Sequence, residues 1–346
     1  MPARPRFAPA LALAALLASL VAACAGGGGP SPSPVASSAV ALKVGLGYIP
    51  SVQFAPFYLA QRAGYYADAG LEVTFENKID PDLVTLVGQG ALDLGIADGT
   101  SVIPAVSQGI PIRYVATIYG TYPSIVFAKT STGIKSAADL RGRTIGIPGR
   151  YGSSWIMLQA LLGSGGLTPD DVTIREYPDF GQGTAVQQGA VDAATGFANN
   201  EPVQLQLAGI PTTSLHVDQI VALPGPGIIA GTTILGSKPD AVRRFVAATL
   251  RAMREIAADP KPGLDATYAV VPELAATADA KKTQEAILAA TAAVWTPSWD
   301  SKAPLGSINR DGWSASIAYL TKLGLVPKAV TVDDLVRTDL LPPAGS

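Results

Sequence analysis

The chain has 346 residues, of which 48% are hydrophobic and 15% charged, and its net charge is −2. That length suits two lobes better than one small core, and the apolar balance excludes a disordered chain. No basic run in the body exceeds two residues, which excludes phosphate-backbone binding, so no nucleic-acid partner is expected.

The first element is a leader. Arg4 and Arg6 precede an almost unbroken Ala, Leu and Val stretch from Phe7 to Ala23. It is too short and ends too abruptly for a spanning helix, so residues 1–23 read as a signal peptide. It closes on Leu20-Val21-Ala22-Ala23-Cys24, which resembles a bacterial lipobox with Cys24 as the lipidated residue. Cys24 is the one cysteine of the chain, so no disulfide framework is possible. Several acyl chains on one residue would give stable membrane attachment. Residues 24–41 continue as a Gly, Ser, Pro and Ala tether that cannot bury enough to fold. No later segment is long and apolar enough to span. The expected location is the extracytoplasmic face of a cell membrane, in a periplasm or at the cell exterior.

From Leu42 the pattern is an alternation of strands and helices. Strands are predicted at 42–49, 71–76, 92–97 and 112–119, and helices at 55–70, 80–90 and 99–109. Pro56 suits a first helical turn and Gly64 a helix end, while Asp80 and Pro81 suit an N-cap and the position after it. Strands joined by helices argue for right-handed crossovers and a mainly parallel sheet. Residues 122–129 lead into a second series, with a helical turn at 136–142, strands at 143–148, 172–177, 191–197 and 212–217, and helices at 153–166, 183–189 and 199–209. After 222–235 the chain turns helical, at 239–258, 279–295 and 311–323. The glycine-rich stretch 225–231 (GPGIIAG) reads as a hinge or turn. The expected division is lobe one at 42–124 plus 228–346 and lobe two at 125–227, hinged on two crossovers.

One local pattern occurs twice. Gln-Gly-Ala-aliphatic-Asp stands at 89–93 and again at 188–192. Both copies lead through small apolar residues into a loop, around Asp98 in one and Asn199 in the other. In open parallel sheets the ligand crevice lies at the carboxyl ends of strands, so these loops are expected to meet across one cleft that closes about a hinge. In the second loop (GFANNEP, 196–202), Asn200 is the expected helix cap, and Phe197, Asn199 and Glu201 the expected ligand contacts.

The inventory of reactive groups disfavours catalysis. His216 is the single histidine and reads as an ordinary strand residue, so a histidine metal site or catalytic triad has nothing to rest on. No Walker A pattern occurs, and GLGYIP (45–50) places Pro50 where a dinucleotide loop needs glycine. No catalytic residue, metal or cofactor is expected. The aromatics are few, at 7%, but gather at predicted strand ends: Tyr48 and Phe54, Tyr119 and Tyr122, Tyr151 and Trp155, Phe180 and Phe197. Flat rings can sandwich a flat ligand, and carboxamides such as Gln53, Gln182 and Asn199 can read its edge.

Four stretches carry a family resemblance: VGLGYIPSVQFAPFYLAQRAGYYADAGLEV, LVGQGALDLGIAD, GIKSAADLRGRTIGIPG and GAVDAATGFANNEPVQL. Over about 42–342 the chain resembles the periplasmic binding proteins of ABC importers, in the branch related to thiamine-pyrimidine synthases and to alkanesulfonate- and nitrate-binding proteins. The resemblance implies a two-lobed α/β fold of type II, a small-molecule ligand, and a permease and an ATPase as partners of a monomeric receptor. GYIPSVQFAPFY, PGRYGSSW and ANNEPVQL look most like members assigned to riboflavin uptake. By this likeness Tyr48, Gln53, Tyr151, Trp155, Phe197, Asn199 and Glu201 would contact the ligand, and Phe54, Asp98, Tyr119 and Gln182 complete the expected set. Pyrimidine-binding members carry Asp-Trp where this chain has Gly47-Tyr48. The cysteine-rich motif and histidine of the yeast-type pyrimidine synthases are missing, which argues against a self-consuming enzyme. Pyrimidine, sulfonate or nitrate binding, and a sensor lipoprotein without an import role, stay as alternatives.

Overall fold

The computed structural model describes residues 39–78 and 82–343. The predicted leader, Cys24, most of the tether and the Asp80–Pro81 cap lie outside the described residues. In chain order the strands are β1 (Val40–Leu46), β2 (Leu71–Asn77), β3 (Leu94–Ala97), β4 (Ile112–Thr117), β5 (Ser124–Lys129), β6 (Thr144–Ile147), β7 (Thr173–Glu176), β8 (Ala193–Phe197), β9 (Thr212–His216) and β10 (Gly227–Gly231). Helices α1 (Ala55–Arg62), α2 (Tyr65–Asp68), α3 (Asp82–Gln89) and α4 (Gly99–Ser107) alternate with the first strands. Helices α5 (Gly152–Ser164), α6 (Gln182–Gln188) and α7 (Glu201–Leu207) alternate with the second series. After β10 come α8 (Thr232–Ser237), α9 (Pro239–Ala258), α10 (Lys261–Val270), α11 (Ala278–Trp295), α12 (Arg310–Lys322) and α13 (Val332–Leu335).

The strands form two five-stranded sheets, in the orders β2-β1-β3-β10-β4 and β7-β6-β8-β5-β9. Each sheet is mainly parallel, as the alternation predicts, with one strand reversed. β10 runs antiparallel to both β3 and β4, and β5 antiparallel to both β8 and β9. The reversed strand in each sheet is the one that has just crossed from the other lobe. A right-handed helical crossover keeps strands parallel, whereas these two connections carry no α-helix that could turn the chain back.

Two predicted elements need correction. The stretch 225–231 is not a turn: Gly227–Gly231 is the fully buried strand β10. Its glycines serve close packing. A Cβ on Gly227 would stand 2.1 Å from the Tyr114 hydroxyl and 2.4 Å from the Ala116 carbonyl oxygen. The predicted helix 55–70 stops at Gly64, the expected helix end, which takes a left-handed φ of 79°, and the residues beyond it form the separate helix α2. Helix α10, for its part, has no counterpart among the predicted elements. Helix α9 is amphipathic, and its buried Phe245 stacks on Tyr66 with ring centroids 5.0 Å apart. That face packs on α1 and α2, where Phe245 meets Phe57 and Tyr66.

The repeated Gln-Gly-Ala-x-Asp pattern is a structural brace. Gly90 and Gly189 both end a helix with φ 75°. The next residues fold back on the helix, Ala91 N–H donating to the Leu86 carbonyl at 3.0 Å and Ala190 N–H to that of Ala185 at 2.9 Å. Asp93 then exchanges two hydrogen bonds with Lys43 on β1: its N–H donates to the Lys43 carbonyl, and its Oδ2 accepts the Lys43 N–H at 2.8 Å. Asp192 does the same with Thr144 on β6, also at 2.8 Å. Each aspartate side chain replaces a missing ladder rung before its strand starts. The pattern therefore sits at the opposite strand end from the loops around Asp98 and Asn199, and only those loops reach the cleft. Asp93→Ala and Asp192→Ala are each expected to cost about 0.5–1.5 kcal/mol, because each removes a hydrogen bond to a neighbouring strand's N–H. Urea denaturation measures the loss, and ligand affinity should stay unchanged.

Candidate functional site

An open cleft of about 1070 Å³, counted to its mouth, lies where the carboxyl ends of both sheets face each other. Gly47 and Tyr48 follow β1, Asp98 follows β3 and caps α4, and Ile118 and Tyr119 follow β4. Pro148 and Tyr151 follow β6, Phe180 follows β7, and Phe197 ends β8. Strand ends leave backbone groups and loop side chains free of the ladder, which is why the crevice forms there.

Nine predicted residues line the cleft: Tyr48, Gln53, Phe54, Asp98, Tyr119, Tyr151, Gln182, Phe197 and Glu201. Gln53 is held from behind. Its Oε1 accepts from Asn199 Nδ2 at 3.1 Å and from the Tyr119 hydroxyl at 3.4 Å, and Asn199 Nδ2 also donates to Thr291 Oγ1 on α11 at 2.8 Å. Gln182 is buried, and its Nε2 donates to the Thr195 carbonyl at 3.4 Å. Its Oε1 is buried and has no hydrogen-bond partner among the described residues.

Two predicted residues stand elsewhere. Asn199 is 1% exposed and belongs to the brace behind Gln53, not to the cleft wall. Its neighbour Asn200 lines the cleft instead, and its Oδ1 accepts from Gln204 Nε2 at 2.9 Å. Asn200 holds the expected N-cap position of α7 but makes no side-chain cap bond, so it stands in the wall where Asn199 was expected. Trp155 also lies off the cleft. It packs on the core of the second lobe, with the Arg150 guanidinium 5.3 Å above its ring. Helix rotation explains this: Gly152, Ser153 and Ser154 in the first turn of α5 face the cleft, and the next residue turns away.

Phe180 gains most from the structure. Its φ of 61° is the one positive value among described non-glycine residues, a conformation that costs a bulky residue energy. Its ring meets Tyr48 edge to face, with centroids 4.8 Å apart and planes at 82°. Tyr48 belongs to the first lobe and Phe180 to the second, so this aromatic pair bridges the cleft. The sequence signal was Phe180 beside Gly181, a turn glycine, after a strand.

The two acids in the wall are both buried. Asp98 caps α4: Oδ1 accepts from the Thr100 N–H at 2.9 Å, the Thr100 hydroxyl at 2.6 Å and the Ser101 N–H at 3.3 Å. The Tyr122 hydroxyl reaches Oδ2 at 3.5 Å. Burial nevertheless raises the Asp98 carboxyl above the usual range. Glu201 Oε2 accepts the Phe197 N–H at 2.9 Å. Burial pushes its carboxyl up to about 7, with that hydrogen bond pulling the other way. Burial, followed by the Glu201 charge, also raises the Tyr48 phenol. Among the described residues, no group of three or more His, Cys, Asp or Glu side chains could hold a metal ion, and no helix is long and apolar enough to cross a membrane.

Known proteins share this architecture. The alkanesulfonate-binding protein SsuA from Xanthomonas axonopodis pv. citri, solved with MOPS bound, superposes with a TM-score of 0.65 at 17% identity, covering 88% of this chain and 99% of that one. The likeness extends the fold, not the ligand. In sequence, the riboflavin-binding protein RibY of Chloroflexus aurantiacus is 32% identical over 344 residues, covering 96% of this chain and 97% of RibY. A 4-amino-5-hydroxymethyl-2-methylpyrimidine phosphate synthase of Aspergillus parasiticus is 28% identical over 220 residues, 60% of this chain and 64% of that enzyme. A family profile described as NMT1/THI5 like matches residues 51–262. With a two-lobed binding-protein fold, a cleft at the strand ends and a full-length relative, the chain belongs to the NMT1/THI5-like family.

Proposed function

We propose that this protein is the solute-binding receptor of an ABC importer and that it captures riboflavin or a similar flat heteroaromatic vitamin between two closing lobes. The observation that carries the reading is the aromatic cleft itself, with Tyr48 and Phe180 meeting across it at 4.8 Å and the acceptor Gln182 Oε1 unpartnered nearby. Tyr48, Tyr151, Phe180 and Phe197 supply faces and edges for a flat ring, while Asn200, Gln182 and Glu201 address a uracil-like edge. The name of the full-length relative, a riboflavin-binding protein, points the same way. In this reading the lobes are 42–124 with 228–346 and 125–227, and they close about the connections from β4 to β5 and from β9 to β10. No bond is made or broken. Lipidation of Cys24 anchors a monomeric receptor at the extracytoplasmic face, and a permease with its ATPase accepts the ligand.

Titration of the purified protein with riboflavin tests this directly. Quenching of flavin fluorescence at micromolar protein is expected, and its absence would remove the flavin assignment. Tyr48→Ala and Phe197→Ala should each weaken binding roughly tenfold or more, about 1.4 kcal/mol. Trp155→Ala, off the cleft, should change affinity less than threefold, roughly 0.6 kcal/mol. The reverse ranking would mean that the ring sits elsewhere.

A further inference from the structure

The charge of the cleft wall is one-sided. Among the described residues that line it there is no lysine, arginine or histidine, but two acids, Asp98 and Glu201. They are 5% and 9% exposed. Neither meets a cation: the partners of Asp98 are Thr100, Ser101 and Tyr122, and that of Glu201 is the Phe197 N–H. The nearby Arg150 turns its guanidinium onto Trp155 and Glu176 instead.

The helix ends point the same way. A helix N-terminus facing a cleft is a ready anion site. Here the α4 N-terminus is already occupied by the Asp98 carboxylate. Glu201, the first residue of the short helix α7, folds back on the Phe197 N–H. The Asp98 carboxylate thus fills a position that a sulfonate, nitrate or phosphate would need.

We propose that Asp98 and Glu201 are specificity-determining residues that make the cleft refuse anions and admit only uncharged or cationic rings. This rests on the reading of the cleft as a ligand site and narrows its substrate class. An anion brought between the two acids would have no counter-charge, and it could enter only if both acids took up protons. The titratable groups facing the acids are Tyr114 and Tyr122 beside Asp98 and Tyr48 beside Glu201. All three are phenols held neutral, so none can supply a positive charge.

The test is calorimetric titration of the full chain at about pH 8.5, where the acids ionise most readily. Two pairs of probes are used: riboflavin against riboflavin 5′-phosphate, and 2-naphthalenemethanol against 2-naphthalenesulfonate. In each pair the anion is expected to bind at least about tenfold more weakly. Asp98→Asn and Glu201→Gln, made singly and together, are expected to narrow that gap, read as the ratio of the two affinities within each pair, by about tenfold. Equal affinity within each pair for the wild type would overturn the proposal, and so would a gap that both variants leave intact. Loss of riboflavin binding alone would defeat the flavin reading, while the naphthalene pair would still decide the charge rule. If a variant fails to fold by circular dichroism, the wild-type comparison stands by itself.

Discussion

Glu201→Gln is expected to melt roughly 5 °C above the wild type at pH 8.5 and at nearly the same temperature at pH 5. Burial pushes the Glu201 carboxyl up to about 7 from an ordinary value of 4.5. The folded protein therefore binds this proton more tightly than the unfolded chain does. A raised carboxyl contributes its stability in full below the unfolded value, and loses it as the pH climbs through the folded one. Above pH 7 the ionised group costs about 3 kcal/mol, at 1.36 kcal/mol per unit. Glutamine keeps an oxygen for the Phe197 N–H and carries no charge, so it avoids that cost. Asp139, Asp171, Asp334 and Asp339 have lowered values and act in the opposite sense at low pH. The variant shares them with the wild type, so the difference between the two melts isolates Glu201. A difference independent of pH would show that the carboxyl is not buried as described.

Gly227→Val is expected to cost at least about 3 kcal/mol and to lower the yield of soluble protein. Its Cβ would stand 2.2 Å from Tyr114 Cζ and 2.4 Å from a backbone oxygen, so either the ring or the strand must move. The Tyr114 ring has little room. It packs edge to face on the fully buried Trp313 at 4.9 Å, and its hydroxyl donates to the Gly225 carbonyl at 3.0 Å. β10 lies between β3 and β4, so its displacement would split the first sheet and shift Pro226 in the cleft wall. Chemical denaturation measures the stability term, and flavin titration the loss of affinity. Gly236→Ala is the control: nothing stands within 4 Å of its Cβ, and a helical alanine there should be neutral or stabilising by up to about 1 kcal/mol.

Much of the fold was legible because its signals are local. Strand and helix periods alternate, and a cleft at strand ends follows from the direction of the strands. β10 was not legible, because glycine in a strand reports close approach to a neighbour, and the neighbour, Tyr114, is far away in sequence. In the site, nine wall residues could be named because loops after strands can point nowhere else. Trp155 failed through helical phase, one residue past the turn that faces the cleft. Asn199 left the wall and Asn200 joined it because a tight turn, closed by Asn200 N–H on the Phe197 carbonyl at 2.9 Å, sends successive side chains to opposite sides. Phe180 was seen as an aromatic at a strand end, but its left-handed backbone is set by tertiary packing.

The order of strands has a consequence for how the chain is made. The second sheet is built from five consecutive strands, residues 124–216, so it can pair as soon as that segment has emerged from the ribosome. The first sheet cannot. Within the sheet β4 hydrogen-bonds only to β10, and β10 emerges after the whole second lobe. Until then β3 and β4 each present a bare edge on an apolar strand, the configuration most open to mispairing with another chain. Closing a loop of that length is also what makes non-local sheets slow to fold. The nascent protein thus passes through a stage with one sheet finished and the other gaping. Retarding folding in that interval, or holding it off until synthesis ends, should decide the yield of native protein more than any single contact in the finished molecule.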